Sequence, residues 1–381
     1  MDGLKHTQTE RRRLTRNRIY TYIFQAKKPV SKQQIADELN ISLPTIHQDI
    51  SELMKAGLIK VGNMLHSTGG RPPVGYAADS GIRFSVGISV GRKGIEFFAA
   101  DLRQKQLAYK QLTVENLPYE DLGAFLAGEL ECFFDENALD RERLLGVGVA
   151  LPGVIDRESD RVLLSPTLRS ESIHLSTIRE SIPYPVYIEN VTTSAGSAEQ
   201  YSAIEAGETP KSFVYLSLEY GVGGAVFING SPYAGEHARS AEFGHMCVEP
   251  GGRKCNCGKK GCLEAYCSIL RITDQLSVSE ETFFDALKNG TNPEYSAIWL
   301  DLLHHLSIGI HNIRMAFDCD IILGGRMTDY LKNYLTNLKG MVSDLDPFDK
   351  DVSYLKEARC GGNAALKGVS WYFTKKFIEE I

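Results

Sequence analysis

The sequence predicts an α/β protein in two parts: a small winged helix-turn-helix at the N-terminus, then a larger body in which strands alternate with helices as two lobes. Three observations carry this. Charge divides along the chain, with residues 1–80 holding 12 Lys and Arg against 7 Asp and Glu and the remainder 30 against 41. Short amphipathic helical patterns fill the basic part and give way after residue 80 to apolar runs of strand length. Two strand pairs with glycine-bearing turns, one after Phe84 and one after Phe213, echo each other as two related lobes facing across a cleft would.

In the basic part, Arg11, Arg12, Arg13, Arg16 and Arg18 open a helix whose apolar positions Ile19 and Ile23 lie four apart. Ser31 with Gln34 three residues on fits a capping box, preceded by Val30, and Ile35 and Leu39 form the inner face of a second helix. Asn40-Ile41 makes the turn. Ser42 caps a third helix that tolerates Pro44 in its first turn and ends at Gly57. Ile46, Ile50 and Leu53 face inward, which leaves Thr45, His47 and Gln48 outward as candidate DNA-contacting residues of a recognition helix in the major groove. A glutamine there can pair with adenine through two hydrogen bonds. Leu58–Val61 and Val74–Tyr76 read as strands around Ser67-Thr68-Gly69-Gly70-Arg71-Pro72-Pro73. That loop reads as a wing whose Arg71 enters a narrow minor groove, as a linker to the body, or as both. A basic head on an acidic body implies that the head meets a polyanion, double-stranded DNA, and the body does not.

In the body, Phe84–Val90 and Ile95–Ala100 read as a hairpin, residues 120–136 as a helix, and Leu145–Leu151 as a buried strand ending in Pro152-Gly153. Val186–Asn190 is a strand running into a small-residue helix from Thr192 to Ala206. Phe213–Leu218 and Gly224–Ile228 form a second hairpin about Gly221 and Gly223, and Ile321–Gly325 is a late strand.

The most informative segment is Glu242 to Glu264. It contains His245, Cys255, Cys257 and Cys262 within eighteen positions, with Glu242 and Glu264 on either side. One histidine and three cysteines make a closed set for a tetrahedral, structural zinc ion, with no open position for an activated water. Gly258 and Gly261 let the backbone curl so that Cys262 closes the cage. A metal here fixes two carboxylates beside it, an arrangement suited to a ligand rich in hydroxyl groups. Cys247 and Cys267 flank the cluster as less favoured substitutes. Cys132 and Cys319 lie in apolar stretches, where buried reduced thiols are the default.

At 381 residues the chain is long enough for two or three domains. No apolar run reaches the length of a bilayer span and Met1–Lys5 lacks the apolar core of a signal peptide, so the expected compartment is the cytoplasm, with no membrane partner.

These motifs resemble the ROK family of bacterial sugar kinases and sugar-responsive repressors. The resemblance covers almost the whole chain, and Glu242-Phe243-Gly244-His245 and Cys255-x-Cys257-Gly258-x-x-Gly261-Cys262-Leu263-Glu264 are its most specific parts. It implies an actin-like, ribonuclease H-like body, with residues 81–190 plus the C-terminal helix as one lobe and 191–360 as the other, behind a DNA-binding domain at 1–80. The head with Gly69-Gly70-Arg71-Pro72 is similar to the branch of xylose, N-acetylglucosamine and glucose-regulon repressors. By that resemblance Asn190, Glu242, His245 and Glu264, and more weakly Gly153, contact a sugar effector. The departures point away from catalysis. Kinases of the family place an aspartate, the general base, after Glu-Asn, and here Val191 follows Glu189-Asn190. Ser89-Val90-Gly91-Arg92-Lys93 lacks the carboxylate and threonine of the first phosphate loop, and Glu219 stands in the second, where it would repel a phosphate. Gly324-Gly325 survives. The implied function is a sugar-responsive repressor acting on operator DNA as a homodimer or homotetramer. The alternative is an ATP-dependent sugar kinase.

Overall fold

Thr7 accepts the Glu10 N–H while the Glu10 carboxylate accepts the Thr7 N–H at 2.8 Å, so the first helix, α1 (Gln8–Gln25), starts in a capping box. The computed structural model describes residues 7–64, 73–92, 94–114, 119–163, 173–209 and 211–381. Ser31 and Gln34 form the second capping box at the start of α2 (Lys32–Leu39), as the spacing predicts. Ser42 caps α3 (Leu43–Lys55), whose Ile46, Ile50 and Leu53 are buried against Ile19, Ile23 and Ile35. Asp49 is buried on the same helix, which the apolar spacing did not reveal. Strands β1 (Ile59–Met64) and β2 (Val74–Ala78) pair antiparallel as the wing's sides. The wing tip, with Arg71, lies outside the described residues, as does Lys93.

The first lobe is built on β3 (Phe84–Gly91), β4 (Gly94–Asp101) and β5 (Gln106–Leu112), an antiparallel meander. After α4 (Leu122–Glu136), β6 (Leu144–Leu151) returns parallel to β3. A small antiparallel sheet follows, β7 (Val154–Asp156), β8 (Arg161–Leu163) and β9 (Ile173–His174), which the sequence reading missed. Then come α5 (Leu175–Ser181), β10 (Val186–Asn190) parallel to β6, and α6 (Val191–Glu205). The second lobe opens with β11 (Phe213–Leu218), β12 (Val222–Ile228) and β13 (Ser231–Pro232). It continues through α7 (Glu264–Cys267), α8 (Ile269–Leu276), α9 (Glu280–Asn289) and α10 (Pro293–Phe317) to β14 (Asp320–Gly324), parallel to β11. Helices α11 (Thr328–Leu331) and α12 (Leu335–Leu345) precede β15 (Leu355–Glu357), and α13 (Ala364–Glu380) packs back on β3, β6 and α6.

The two five-stranded sheets run β10-β6-β3-β4-β5 and β13-β12-β11-β14-β15. Each has its first strand in the centre, the rest of the meander on one side and two parallel strands on the other. The echo between the Phe84 and Phe213 hairpins is this repeated topology.

Three details correct the sequence reading. Gly223 lies within β12 opposite Ser217, so the second hairpin turns at residues 219–221. Cys132 is exposed, because α4 turns Phe133 and Phe134 inward instead. Cys319 is half-buried rather than enclosed.

Helices α6 and α13 touch backbone to backbone. A Cβ on Gly368 would stand 1.7 Å from the Ser194 carbonyl oxygen, so only glycine permits the contact. The head rests on the far ends of these helices. Tyr20, Ile23 and Phe24 of α1 share one apolar cluster with Tyr201, Trp371 and Ile378. Arg103 donates to the carbonyls of Phe24 and Ala26 at the end of α1, and its guanidinium lies 4.9 Å from the Phe24 ring centre. No helix among the described residues is long and apolar enough to cross a membrane.

Candidate functional site

The segment 243–263 folds as a knuckle of short backbone bridges. Cys247 pairs with Cys262 and Lys254 with Lys260, each antiparallel. Gly258 and Gly261 take positive φ of 88° and 81°, and a Cβ on Gly261 would meet the Glu249 carbonyl oxygen at 1.9 Å. The knuckle brings one donor atom from each of His245, Cys255, Cys257 and Cys262 within 4.8 Å of one another. Cys257 and Cys262 Sγ are 3.7 Å apart, and Cys255 Sγ is 3.8 Å from His245 Nδ1. Zinc–sulfur and zinc–nitrogen bonds put tetrahedral donors about 3.6–3.8 Å apart, so these residues fit a zinc ion. Burial pushes the Cys255 thiol up to about 12 and raises Cys262 as well. At Cys257 burial is outweighed by the Lys259 N–H and the neighbouring thiols, and its thiol lies below the usual range. Buried neutral thiols of this kind become thiolates when a cation joins them. Cys247 and Cys267 stand outside the cluster, Cys267 fully buried behind it.

With Nδ1 turned to the cysteines, His245 leaves Nε2 for other partners. Glu264, the first residue of α7, accepts the Val222 N–H at 3.0 Å through Oε2. Burial, with Glu264 adding to it and His245 opposing, holds the Glu242 carboxyl above the usual glutamate range. All three line one cleft of about 2490 Å³ between the lobes, together with Gly153, Asn190 and Val191. That exceeds the roughly 300–1,000 Å³ of a typical small-molecule site, and its walls divide into two halves.

In the half nearest the knuckle, Asn190 ends β10 and caps α6. Its Oδ1 accepts the N–H groups of Thr192 (2.7 Å) and Thr193 (3.2 Å), and its Nδ2 donates to the Gly153 carbonyl at 2.8 Å. One amide N–H remains for a ligand. Val191 occupies the first turn of α6 and offers no proton acceptor.

The other half is lined by charged and aromatic side chains that contact one another. Glu219 accepts the Arg326 N–H at 2.9 Å. Burial, opposed by Arg326 and reinforced by Glu280 and Glu96, lifts its carboxyl to about 7. Tyr220 lies between Arg92 (5.8 Å) and Arg326 (6.0 Å), Arg92 reaches Asp274 across the cleft at 3.8 Å, and Arg326 reaches Glu280 at 3.6 Å. Sequence reading found Glu219 from its motif position but missed Tyr220, Arg92 and Arg326 as a unit, since their contacts join distant parts of the chain.

On the head, Thr45, His47 and Gln48 lie on the first two turns of α3. Thr45 Oγ1 shares a hydrogen bond with Ser42 Oγ (2.8 Å), His47 Nδ1 is 2.8 Å from Lys32 Nζ, and Gln48 is exposed. Arg12 and Arg16 both pair with Glu52 of the same helix.

A knuckle whose histidine and three cysteines could hold a metal ion, a cleft between two lobes of equal topology and a helix-turn-helix head define the class. Residues 85–376 match the ROK family and residues 15–77 match an HTH domain, and the chain belongs to the ROK family. It is similar to the xylose repressor of Bacillus subtilis, with 26% identity over 360 residues and 93% of each chain covered. Its fold is like that of a ROK family transcriptional regulator described as a homolog of the Escherichia coli MLC protein (TM-score 0.77, 23% identity, 97% of each chain). A ROK hexokinase from Thermus thermophilus is also similar, with TM-score 0.59 and 25% identity over 77% of this chain and 99% of that one.

Proposed function

We propose that this protein is a sugar-responsive repressor that binds operator DNA through its head, releases it when a sugar enters the cleft, and does not phosphorylate that sugar. One observation carries the reading: a helix-turn-helix head packs on the far ends of α6 and α13, whose other ends lie in a cleft that keeps its polar groups in the knuckle half while Glu219, Tyr220, Arg92 and Arg326 line its other half. Thr45, His47 and Gln48 face the major groove and Arg71 the minor groove. A structural zinc on His245, Cys255, Cys257 and Cys262 braces the pocket. Glu242 and Glu264 accept hydroxyl protons, His245 Nε2 and the free Asn190 N–H complete the ring of contacts, and Gly153 lets backbone approach. Charge-assisted bonds of this kind are stronger than neutral ones.

The heads of a homodimer or homotetramer engage half-sites one helical turn, or a multiple, apart. Driving them from mostly bound to mostly free requires the sugar to favour one conformation by about 5.5 kcal/mol, within reach of several such bonds. Fluorescence anisotropy on operator DNA, with a panel of aldopentoses, aldohexoses and their 2-acetamido derivatives, tests the reading. At least one sugar releases the DNA. If none does, the reading fails.

A further inference from the structure

Arg157 sits in the β7–β8 turn, between the two strands of a flap on the cleft rim. Asp156 stiffens that turn by accepting the Glu158 and Ser159 N–H groups and the Ser159 hydroxyl. Asp160 anchors its far end, accepting from the Ser176 N–H and pairing with Arg179 at 2.7 Å. The position of Arg157 is therefore set by a fixed turn.

Its guanidinium reaches the floor of the cleft. Nη2 donates to the Ile188 carbonyl at 3.1 Å and to Glu189 Oε2 at 3.0 Å. The other oxygen of Glu189 accepts the Asn190 N–H at 2.8 Å, so a single carboxylate joins Arg157 to the residue that caps α6. The guanidinium lies 5.6 Å from the Tyr187 ring centre, and Tyr187 stacks on Tyr372 of α13 with centroids 3.7 Å apart. Arg157, Tyr187 and Glu189 all line the cleft. The Arg157 side chain is 51% exposed, and its Nε and Nη1 have no partner among the described residues.

Those free N–H groups matter because the sugar contacts named above are mainly acceptors, with one Asn190 N–H and His245 Nε2 as the other groups left over. Glu242 and Glu264 only accept, and the Asn190 oxygen is already taken by two backbone N–H groups. A sugar brings both hydroxyl protons and hydroxyl or carbonyl oxygens, and a buried acceptor left unpaired is costly. We infer that Arg157 is a specificity-determining contact for the effector: its Nε and Nη1 donate to an acceptor oxygen on the face of the sugar turned to the β7–β8 flap, while the carboxylates take protons on the face turned to the knuckle. A salt-bridge partner for Glu189 alone does not need a planar fork with three N–H bonds to spare.

This inference rests on the reading of the cleft as a sugar site, and the test separates the two. Isothermal titration calorimetry with the same sugar panel is run on the wild type, Arg157→Gln and Arg157→Lys, with thermal melting in the absence of sugar to confirm that each variant folds. For the sugar that the wild type binds, Arg157→Gln weakens binding by about 10- to 100-fold, and Arg157→Lys, which keeps the charge beside Glu189, recovers only part of it. Monodeoxy analogues then locate the contact. Removing one particular hydroxyl weakens the wild type but not Arg157→Gln, the non-additivity of two groups that touch. Wild-type binding with equal losses for every deoxy analogue in both proteins, or with unchanged affinity in Arg157→Gln, overturns this inference alone. A wild type that binds none of the sugars overturns the underlying reading as well.

Discussion

Tyr201 of α6 packs against Trp371 of α13 with ring centroids 4.0 Å apart and planes tilted by 36°, at the point where both helices reach the apolar cluster of the head. The other ends of the same helices are in the cleft: Asn190 caps α6, and Asn363, Ala364 and Ala365 at the start of α13 line the wall. Gly368 brings the two backbones into direct contact, so we expect the helices to shift together. On that expectation a ligand that shifts the cleft end would shift the seat of the DNA-binding helices with it, a rigid-body coupling rather than a local one. Trp371→Ala removes this ring contact and opens a cavity under α1. We expect a loss of about 3–5 kcal/mol in urea denaturation, with Trp371→Phe intermediate. A Trp371→Ala protein as stable as the wild type would contradict this seating of the head.

Metal removal gives a second prediction. At the centre of the knuckle Cys255, Cys257 and Cys262 converge on His245. Purified protein should carry one equivalent of zinc by atomic emission. Cys257→Ser should lose most of it, together with hydrogen-exchange protection of the Gly261 N–H, which bonds the Arg253 carbonyl at 2.8 Å. With Glu264 no longer fixed, sugar release of DNA should fail too. Full zinc and full response in Cys257→Ser would mean that the knuckle does not need the metal.

The parts legible in the sequence are those set by local spacing. Capping at Ser31 and Ser42, the inward row Ile46, Ile50 and Leu53, and the convergence of one histidine and three cysteines all depend on residues within about twenty positions. The missed features depend on distant partners or on segments too short to show a period. Strands β7 and β8 have three residues each, so only the polar run Asp156-Arg157-Glu158-Ser159-Asp160 marks the turn that carries Arg157. Nothing in the order of residues tells that the Asn190 amide oxygen is spent on capping α6, or that Arg92 meets Asp274 and Tyr220 more than a hundred positions away. Asp49 is hidden in another way: an acidic residue breaks the apolar pattern of α3, yet it is buried.

Glu219 makes stability depend on pH. Burial raises its carboxyl from an ordinary value of 4.5 to about 7 in the folded protein. Between those values the folded state keeps a proton that the unfolded chain has released, so stability is full below about 4.5 and declines as pH rises through about 7. Glu219→Gln removes that dependence. Its melting temperature should be flatter across this window, and at pH 8 it should exceed the wild type by about 1–3 kcal/mol of stability. Parallel pH curves for the two proteins would rule out a buried, protonated Glu219.

Restoring the missing base should not restore a kinase. Val191 stands at the start of α6, where an aspartate is compatible with the positive end of the helix, so Val191→Asp should fold. A general base is worth about 10²–10⁴-fold in rate, but only if a nucleotide is held against it. Here the Arg326 N–H is already given to Glu219, whose charge opposes a phosphate above neutral pH, and Tyr220 is held between Arg92 and Arg326. Ser89 supplies no carboxylate on the facing hairpin. An ADP-coupled assay with ATP, magnesium and the aldose panel should therefore find no turnover above background for Val191→Asp, as for the wild type, while sugar affinity measured by calorimetry changes. Turnover approaching the ~10 s⁻¹ typical of enzymes from this one substitution would show that the second half of the cleft still accepts a nucleotide.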